Sequence, residues 1–197
     1  MNDWLKPVRL AGQHAVLEPL SMAHFDGLTS AARDGELWKL WYTAIPSPDG
    51  MRAEIERRLG LQAKGSMLPF TTRDASGQVV GMTTYMNVDA VYHRVEIGST
   101  WTARSAQRGP LNTECKLMLL THAFETLGCI AVEFRTHFFN QQSRSAIERL
   151  GARLDGILRN HQRASNGTLR DTCVYSIVES EWQTVKAHLG WQLIKAR

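Results

Sequence analysis

Residues 94–127 read RVEIGSTWTARSAQRGPLNTECKLMLLTHAFETL, and a change of rhythm inside them decides the fold. Over Arg94–Thr102, the residues Val95, Ile97 and Ser99 alternate with Glu96, Gly98 and Thr100, the period-two signature of a strand. Farther on, Cys115, Leu119, Ala123 and Leu127 fall four apart with Leu120 and Phe124 beside them, which is the stripe of a helix ended by Gly128. The stretch Ser105-Ala-Gln-Arg-Gly-Pro-Leu111 between them is a turn, with Asn112 or Thr113 as the expected helix cap. A helix start exposes free N–H groups and the positive end of a dipole, which suits a phosphate, and Arg104 and Arg108 add positive charge. Many ordinary strand-to-helix connections look the same. The turn lacks the Gly-Lys-Ser/Thr ending of a P-loop and contains no GxGxxG, so nucleotide readings are weak.

Upstream, Ala15–Leu20 reads as a first strand, and Ser21 caps a helix running to Arg33. An aromatic-rich stretch, Leu37–Ile45, ends in Pro46-Ser-Pro48, and Met51–Lys64 forms a charged amphipathic helix closed by Gly65. Met67–Arg73 and Gln78–Met86 are strands joined by the turn Asp74-Ala-Ser-Gly77, and Arg94–Thr102 completes a meander. Downstream, a strand at 130–136 precedes a helix capped by Asn140, with Ala146, Ile147 and Leu150 inward and Gly151 as its stop. Strand-like runs at Arg153–Arg159 and Arg170–Val178 and a helix from Glu181 complete the chain. A meander followed by strand–helix–strand–helix–strand predicts a mixed α/β sheet.

The chain has 197 residues, 43% hydrophobic and 21% charged, so residues 1–197 form one domain with a sizeable core rather than a disordered or stapled chain. A net charge of +4 suits an acidic ligand without demanding nucleic acid. Cys115, Cys129 and Cys173 show no CxxC spacing and read as reduced, packed thiols. The histidines 14, 24, 93, 122, 137, 161 and 188 form no HxH or HxxxH pair, so no metal site is expected, and His137, just behind the strand 130–136, could approach the site but reads first as a surface or capping residue. With neither a signal peptide nor a membrane span, the expected location is the cytoplasm, away from membranes. The arginines 144, 149, 153, 159, 163 and 170 make a basic stretch, read as a solvated face or as a contact for a phosphate or an acidic partner.

Two motifs carry a family resemblance. Ile97-Gly98 followed by Gln107-Arg-Gly-Pro-Leu-Asn112-Thr-Glu resembles the Gln/Arg-x-x-Gly-x-Gly/Ala element of GNAT acetyltransferases. Asn140-Gln-Gln-Ser143-Arg-Ser-Ala-Ile-Glu-Arg-Leu-Gly151-Ala resembles their Asn-x-x-Ser…Leu-Gly-Phe element. The nearest branch is the RimJ/RimL-like one, and the likeness extends from Ala15 to Val178. It implies a GNAT-like fold with a splayed central strand pair, acetyl-CoA as cosubstrate, and direct attack by an amine acceptor. The pyrophosphate would lie on the turn and helix start, at Arg104, Gln107, Arg108, Gly109, Leu111, Asn112 and Thr113. The pantetheine arm would run past Trp101 and Thr102, with Asn140 bonding its amides, and Arg144 would add charge toward the cofactor. Glu96 would take the amine's proton and Ser143 would serve the departing thiolate. Without the resemblance, Glu96 reads as a solvated strand carboxylate and Ser143 as part of a helix cap. Trp38, Trp41 and Tyr42 would wall the acceptor site, or else be core or interface. A homodimer is implied as well, in keeping with Trp4, Trp182 and Trp191. The departure from the family pattern is Pro110, which removes one N–H from the turn. A non-catalytic acyl-CoA-binding module is the alternative reading, and a nucleic-acid binder using the arginines ranks well behind both.

Overall fold

The structure, a computed structural model, describes residues 4–164 and 166–195. In chain order the elements are β1 (Leu10–Ala11), β2 (Ala15–Pro19), α1 (Phe25–Arg33), α2 (Met51–Ala63), β3 (Met67–Asp74), β4 (Val79–Asp89) and β5 (Arg94–Thr102). Then come α3 (Leu111–Thr121), β6 (Ala131–His137), α4 (Gln141–Glu148), β7 (Arg153–Arg163), β8 (Leu169–Val178) and α5 (Trp182–Ile194). The strands form one sheet in the order β1-β2-β3-β4-β5-β6-β8-β7, antiparallel except for β5 beside β6. This is the mixed α/β sheet that the sequence predicts.

The helices divide between the two faces, and the pleat shows how. Tyr85 donates its hydroxyl to the Leu119 carbonyl of α3, whereas its neighbour Thr84 accepts from Arg58 of α2. Residues 84 and 85 point to opposite faces, so α3, packed on α5, covers one face, and α2, packed on β3 and α1, covers the other. Phe70, Tyr85, Leu119, Val132 and Tyr175 are among the fully buried side chains. Among the described residues no helix is long and apolar enough to cross a membrane.

Several boundaries differ from expectation. The two-residue β1 is additional, β4 runs on to Asp89, and β6 begins after the exposed Ile130. Neither Asn112 nor Thr113 caps α3. Pro110 does, with φ −71° and ψ −20°, because the ring's fixed φ already suits a helix start. The helix also stops early: His122–Thr126 form a π turn, in which Leu127 N–H reaches the His122 carbonyl at 3.0 Å, before Gly128 turns the chain at φ +65°. Asn140 caps α4 as expected, its side chain accepting the Ser143 N–H at 3.0 Å. Of the three tryptophans expected at a dimer contact, Trp182 is buried against Phe124 and Trp4 bonds the Leu127 carbonyl, while Trp191 is exposed.

One long-range tie joins the start of the chain to its centre. The Glu114 carboxylate, on the first turn of α3, accepts the N–H groups of Gln13, His14 and Ala15 at 2.9, 2.6 and 2.8 Å. Gly12 is required there, since a Cβ would overlap that carboxylate.

Candidate active site

The sheet opens at its centre. β5 and β6 are paired only over Arg94–Glu96 against Ala131–Glu133, and beyond Glu96 they part. The alternation seen in the sequence does not describe burial here. Val95, Glu96, Ile97 and Gly98 are all buried, while Ser99 and Thr100 are exposed. Ser99 sits at φ +49° where the β4–β5 register slips between Met82 and Thr84, which makes it the extra residue of a bulge.

Buried groups hold that bulge from both faces. Arg58 of α2, 2% exposed, pairs with Glu54 at 2.7 Å, donates to the Thr84 hydroxyl at 2.7 Å, and reaches the Ser99 carbonyl at 3.4 Å. On the α3 side, Lys116 donates to Thr100 at 2.9 Å and Thr83 at 3.3 Å, and burial pulls its ammonium down to about 8. Sequence reasoning missed Arg58. Its signal is position: with Met51 and Ile55 it makes an i, i+4, i+7 stripe on the inner face of α2.

Past the end of β5, the turn toward α3 is braced by its own side chains and by α1. Gln107 donates to the Thr102 carbonyl at 2.8 Å, so this side chain shapes the turn. Asp34, at the end of α1, accepts Ser105 N–H on its carboxylate at 2.9 Å and Arg104 N–H on its carbonyl at 3.2 Å. Those bonds with Ser105 hold the Asp34 carboxyl below its usual range. Arg108 takes φ +62°, and a Cβ on Gly109 would meet nothing within 4 Å, so the backbone is open to close approach. The first helical bond runs from Glu114 N–H to the Pro110 carbonyl, which leaves Leu111, Asn112 and Thr113 N–H outside the helical ladder. Free N–H groups at a turn and helix start are the arrangement that accepts an anion such as a phosphate, and Pro110 removes one of them.

Glu96 stands where the strands part. Its carboxylate accepts from Asn87 at 2.7 Å and lies 3.5 Å from Arg135, and the residue is 5% exposed. The solvated reading of this carboxylate is therefore corrected. Burial raises its pKa above the ordinary value, against the pull of Asn87 and Arg135 and with some help from Glu133. A Cβ on Gly98 would come within 2.8 Å of the Glu96 carboxylate, so the glycine keeps room for it. A shielded carboxylate of raised pKa is suited to take a proton from an amine.

The remaining expected residues lie in three settings. Ser143 is the third residue of α4, partly exposed, its N–H taken by Asn140. Arg144 donates to the Tyr175 hydroxyl at 3.0 Å and stacks on Phe138 at 4.9 Å, pinning α4 to the sheet. Trp101 is 4% exposed, while Thr102 ends β5 beside the turn. Trp41 and Tyr42 reach the far end of β6, their ring centres 5.2 and 6.4 Å from His137, and Trp41 lies 5.9 Å from Phe139. Trp38 makes no ring contact with them among the described residues; Lys39 Nζ lies 6.0 Å from its ring centre. His137, 3% exposed, is not a surface residue, though it does cap the backbone at the end of β6. Its Nδ1 accepts the Phe139 N–H at 3.1 Å, so its proton is on Nε2, a buried donor without a partner among the described residues. Burial lowers its pKa and keeps the ring neutral near pH 7.

A parted central strand pair, an open turn with free N–H groups at the next helix start and a shielded carboxylate at the parting lie together in an acetyltransferase-type fold. Residues 14–153 match the family described as "Acetyltransferase (GNAT) domain", and the chain belongs to that family. It is 32% identical over 111 residues to YdaF of Bacillus subtilis (strain 168), which carries a provisional name as a ribosomal N-acetyltransferase. That alignment covers 56% of this chain and 59% of YdaF. A GCN5-related N-acetyltransferase from Brucella melitensis shares 29% identity at a TM-score of 0.84, over 95% of this chain and 86% of that one. Mycobacterium smegmatis RimJ, in complex with CoA-disulfide, shares the fold at 21% identity and a TM-score of 0.77, over 95% of this chain and 93% of its own.

Proposed function

We propose that this protein is an N-acetyltransferase that moves an acetyl group from acetyl-CoA to a primary amine, on a protein N-terminus or a small molecule, within a ternary complex. The observation that carries this reading is Glu96, shielded at the point where β5 and β6 part, with the open nest of α3 beyond the end of the same strand. Bound acetyl-CoA would supply an activated acyl group. The N–H groups of Gly109, Leu111, Asn112 and Thr113 hold its phosphates, and Asn140 holds the pantetheine arm as well as capping α4. Backbone N–H groups at the β5 bulge, set by Arg58, stabilise negative charge on the acyl oxygen. Glu96, directly or through one water, receives the proton that the amine loses as its nitrogen bonds the acyl carbon and the carbon–sulfur bond breaks, and Ser143 donates a hydrogen bond to the departing thiolate. The structure of RimJ in complex with CoA-disulfide supports a CoA-based donor.

Titration calorimetry with acetyl-CoA, followed by thiol release across an amine panel, tests the proposal. Saturable release that requires both substrates is expected. Tight acetyl-CoA binding without release by any amine would instead make the chain an acyl-CoA-binding module.

A further inference from the structure

The face of the sheet that carries Glu96 continues beyond it along β6 and β8. Glu133, Arg135 and His137 alternate onto that face of β6, and Thr172 of β8 lies opposite His137 in the antiparallel register. The charges there nearly cancel. Glu133 is met by Arg94 at 2.5 Å and by Arg135 at 2.9 Å, and Arg135 also lies 3.5 Å from Glu96. Two carboxylates are thus answered by two guanidiniums.

Arg170 is the cation left over. It is partly buried at the start of β8, and its Nε donates to the Thr172 hydroxyl at 3.0 Å, which folds the side chain back along the strand toward the site. It lies close enough to both Glu96 and His137 to act on their charges, yet among the described residues no carboxylate stands within ion-pair distance of it. The neighbouring Asp171 is already paired with Arg159 at 2.6 Å. Beside it lies the second unanswered donor, the buried Nε2–H of His137, under Trp41 and Tyr42.

We infer that Arg170, with His137, recognises a carboxylate on the acceptor, so that the amine presented to Glu96 belongs to a molecule carrying an acidic group near it. This rests on the acetyl-transfer reading above and narrows its substrate class. A planar guanidinium fork matches a carboxylate in geometry. The single uncompensated positive charge matches a monoanion better than a phosphate dianion. The carboxylate has two possible sources: the α-carboxyl of a free amino acid, or the acidic side chain of a protein's first residue.

The test compares matched pairs with the CoA-saturated protein, by calorimetry and by thiol release corrected to the neutral fraction of each amine. One arm sets free amino acids against their amides. The other sets peptide amides beginning with Asp or Glu against those beginning with Asn or Gln. A preference of about tenfold for the carboxylate in one arm is expected, and that arm names the source. Arg170→Gln should abolish the preference, with CoA affinity reporting that the variant is folded. If Arg170→Gln does not fold, Arg170→Lys decides, since it keeps the charge without the fork and should lose most of the preference. Equal binding within both pairs, no binding in either arm, or a preference that survives both substitutions would overturn the inference. A binding preference without thiol release from any amine would refute acetyl transfer while leaving the carboxylate site standing.

Discussion

Glu96 shows how one side chain can hold opposite values for stability and for chemistry. The fold raises its pKa by burial, so the native state favours its protonated form more than the unfolded chain does. The native state then binds more protons than the unfolded chain between about pH 4.5 and the raised value, and stability falls as pH climbs through that window. Glu96→Gln removes this cost and keeps an acceptor for Asn87. Its melting temperature should exceed that of the parent at neutral pH, and the difference should close in acid. Its kcat should fall by about 10²–10⁴-fold with CoA affinity nearly unchanged, and recover in part as rising pH supplies neutral amine. Ser143→Ala should give a milder kcat defect with no rescue at high pH. Wild-type turnover by Glu96→Gln across the pH range would make the glutamate structural. The residue itself was legible from its place before Ile97-Gly98, but its burial was not. The alternation of β5 suggests one wet face, and only Asn87 of β4 and Arg135 of β6, brought beside Glu96 by the sheet, shield it.

Among the elements, the start of α3 matters most. The sequence places a helix after Gly109-Pro110, but the cap falls on Pro110 because a ring-fixed φ decides the first turn more strongly than the cap preference of Asn112 or Thr113. Both residues therefore lie inside the first turn with N–H groups outside the helical ladder, where proline replaces them without breaking a helical bond. Changing Asn112 and Thr113 together to proline should weaken CoA binding by about tenfold or more, at roughly 1 kcal/mol or more for each lost charge-assisted bond, as read by calorimetry. Unchanged affinity in the folded variant would place the cofactor elsewhere. The bracing of this turn by Asp34 was illegible, because a single aspartate after a helix carries no sign of a partner seventy residues on; Asp34 meets Ser105 only in space.

At the scale of the whole molecule, Glu114 ties the first hairpin to the central helix. Glu114→Ala would leave three N–H groups without their acceptor, a loss of roughly 3 kcal/mol at about 1 kcal/mol each. For a domain of this size that corresponds to a melting temperature lower by roughly 6–12 °C. Glu114→Gln should recover part of the loss, since one amide oxygen remains. A scanning-calorimetry shift below one degree for the alanine variant would show that the tie adds nothing to stability.

The sequence by itself determined the order and kind of the main elements, the central strand–turn–helix, Asn140 as a cap and the family. Each of these is written in local periodicity, turn residues or short motifs, which depend on neighbours along the chain. The tertiary structure decided how far β5 and β6 stay paired, which carboxylate is shielded, and where Trp41, His137 and Arg170 lie relative to Glu96. Those features depend on contacts between residues tens of positions apart, among them the hold of Arg58 on the Ser99 carbonyl. No periodicity records them, because they exist only once separate elements press the same few groups together and exclude water from between them.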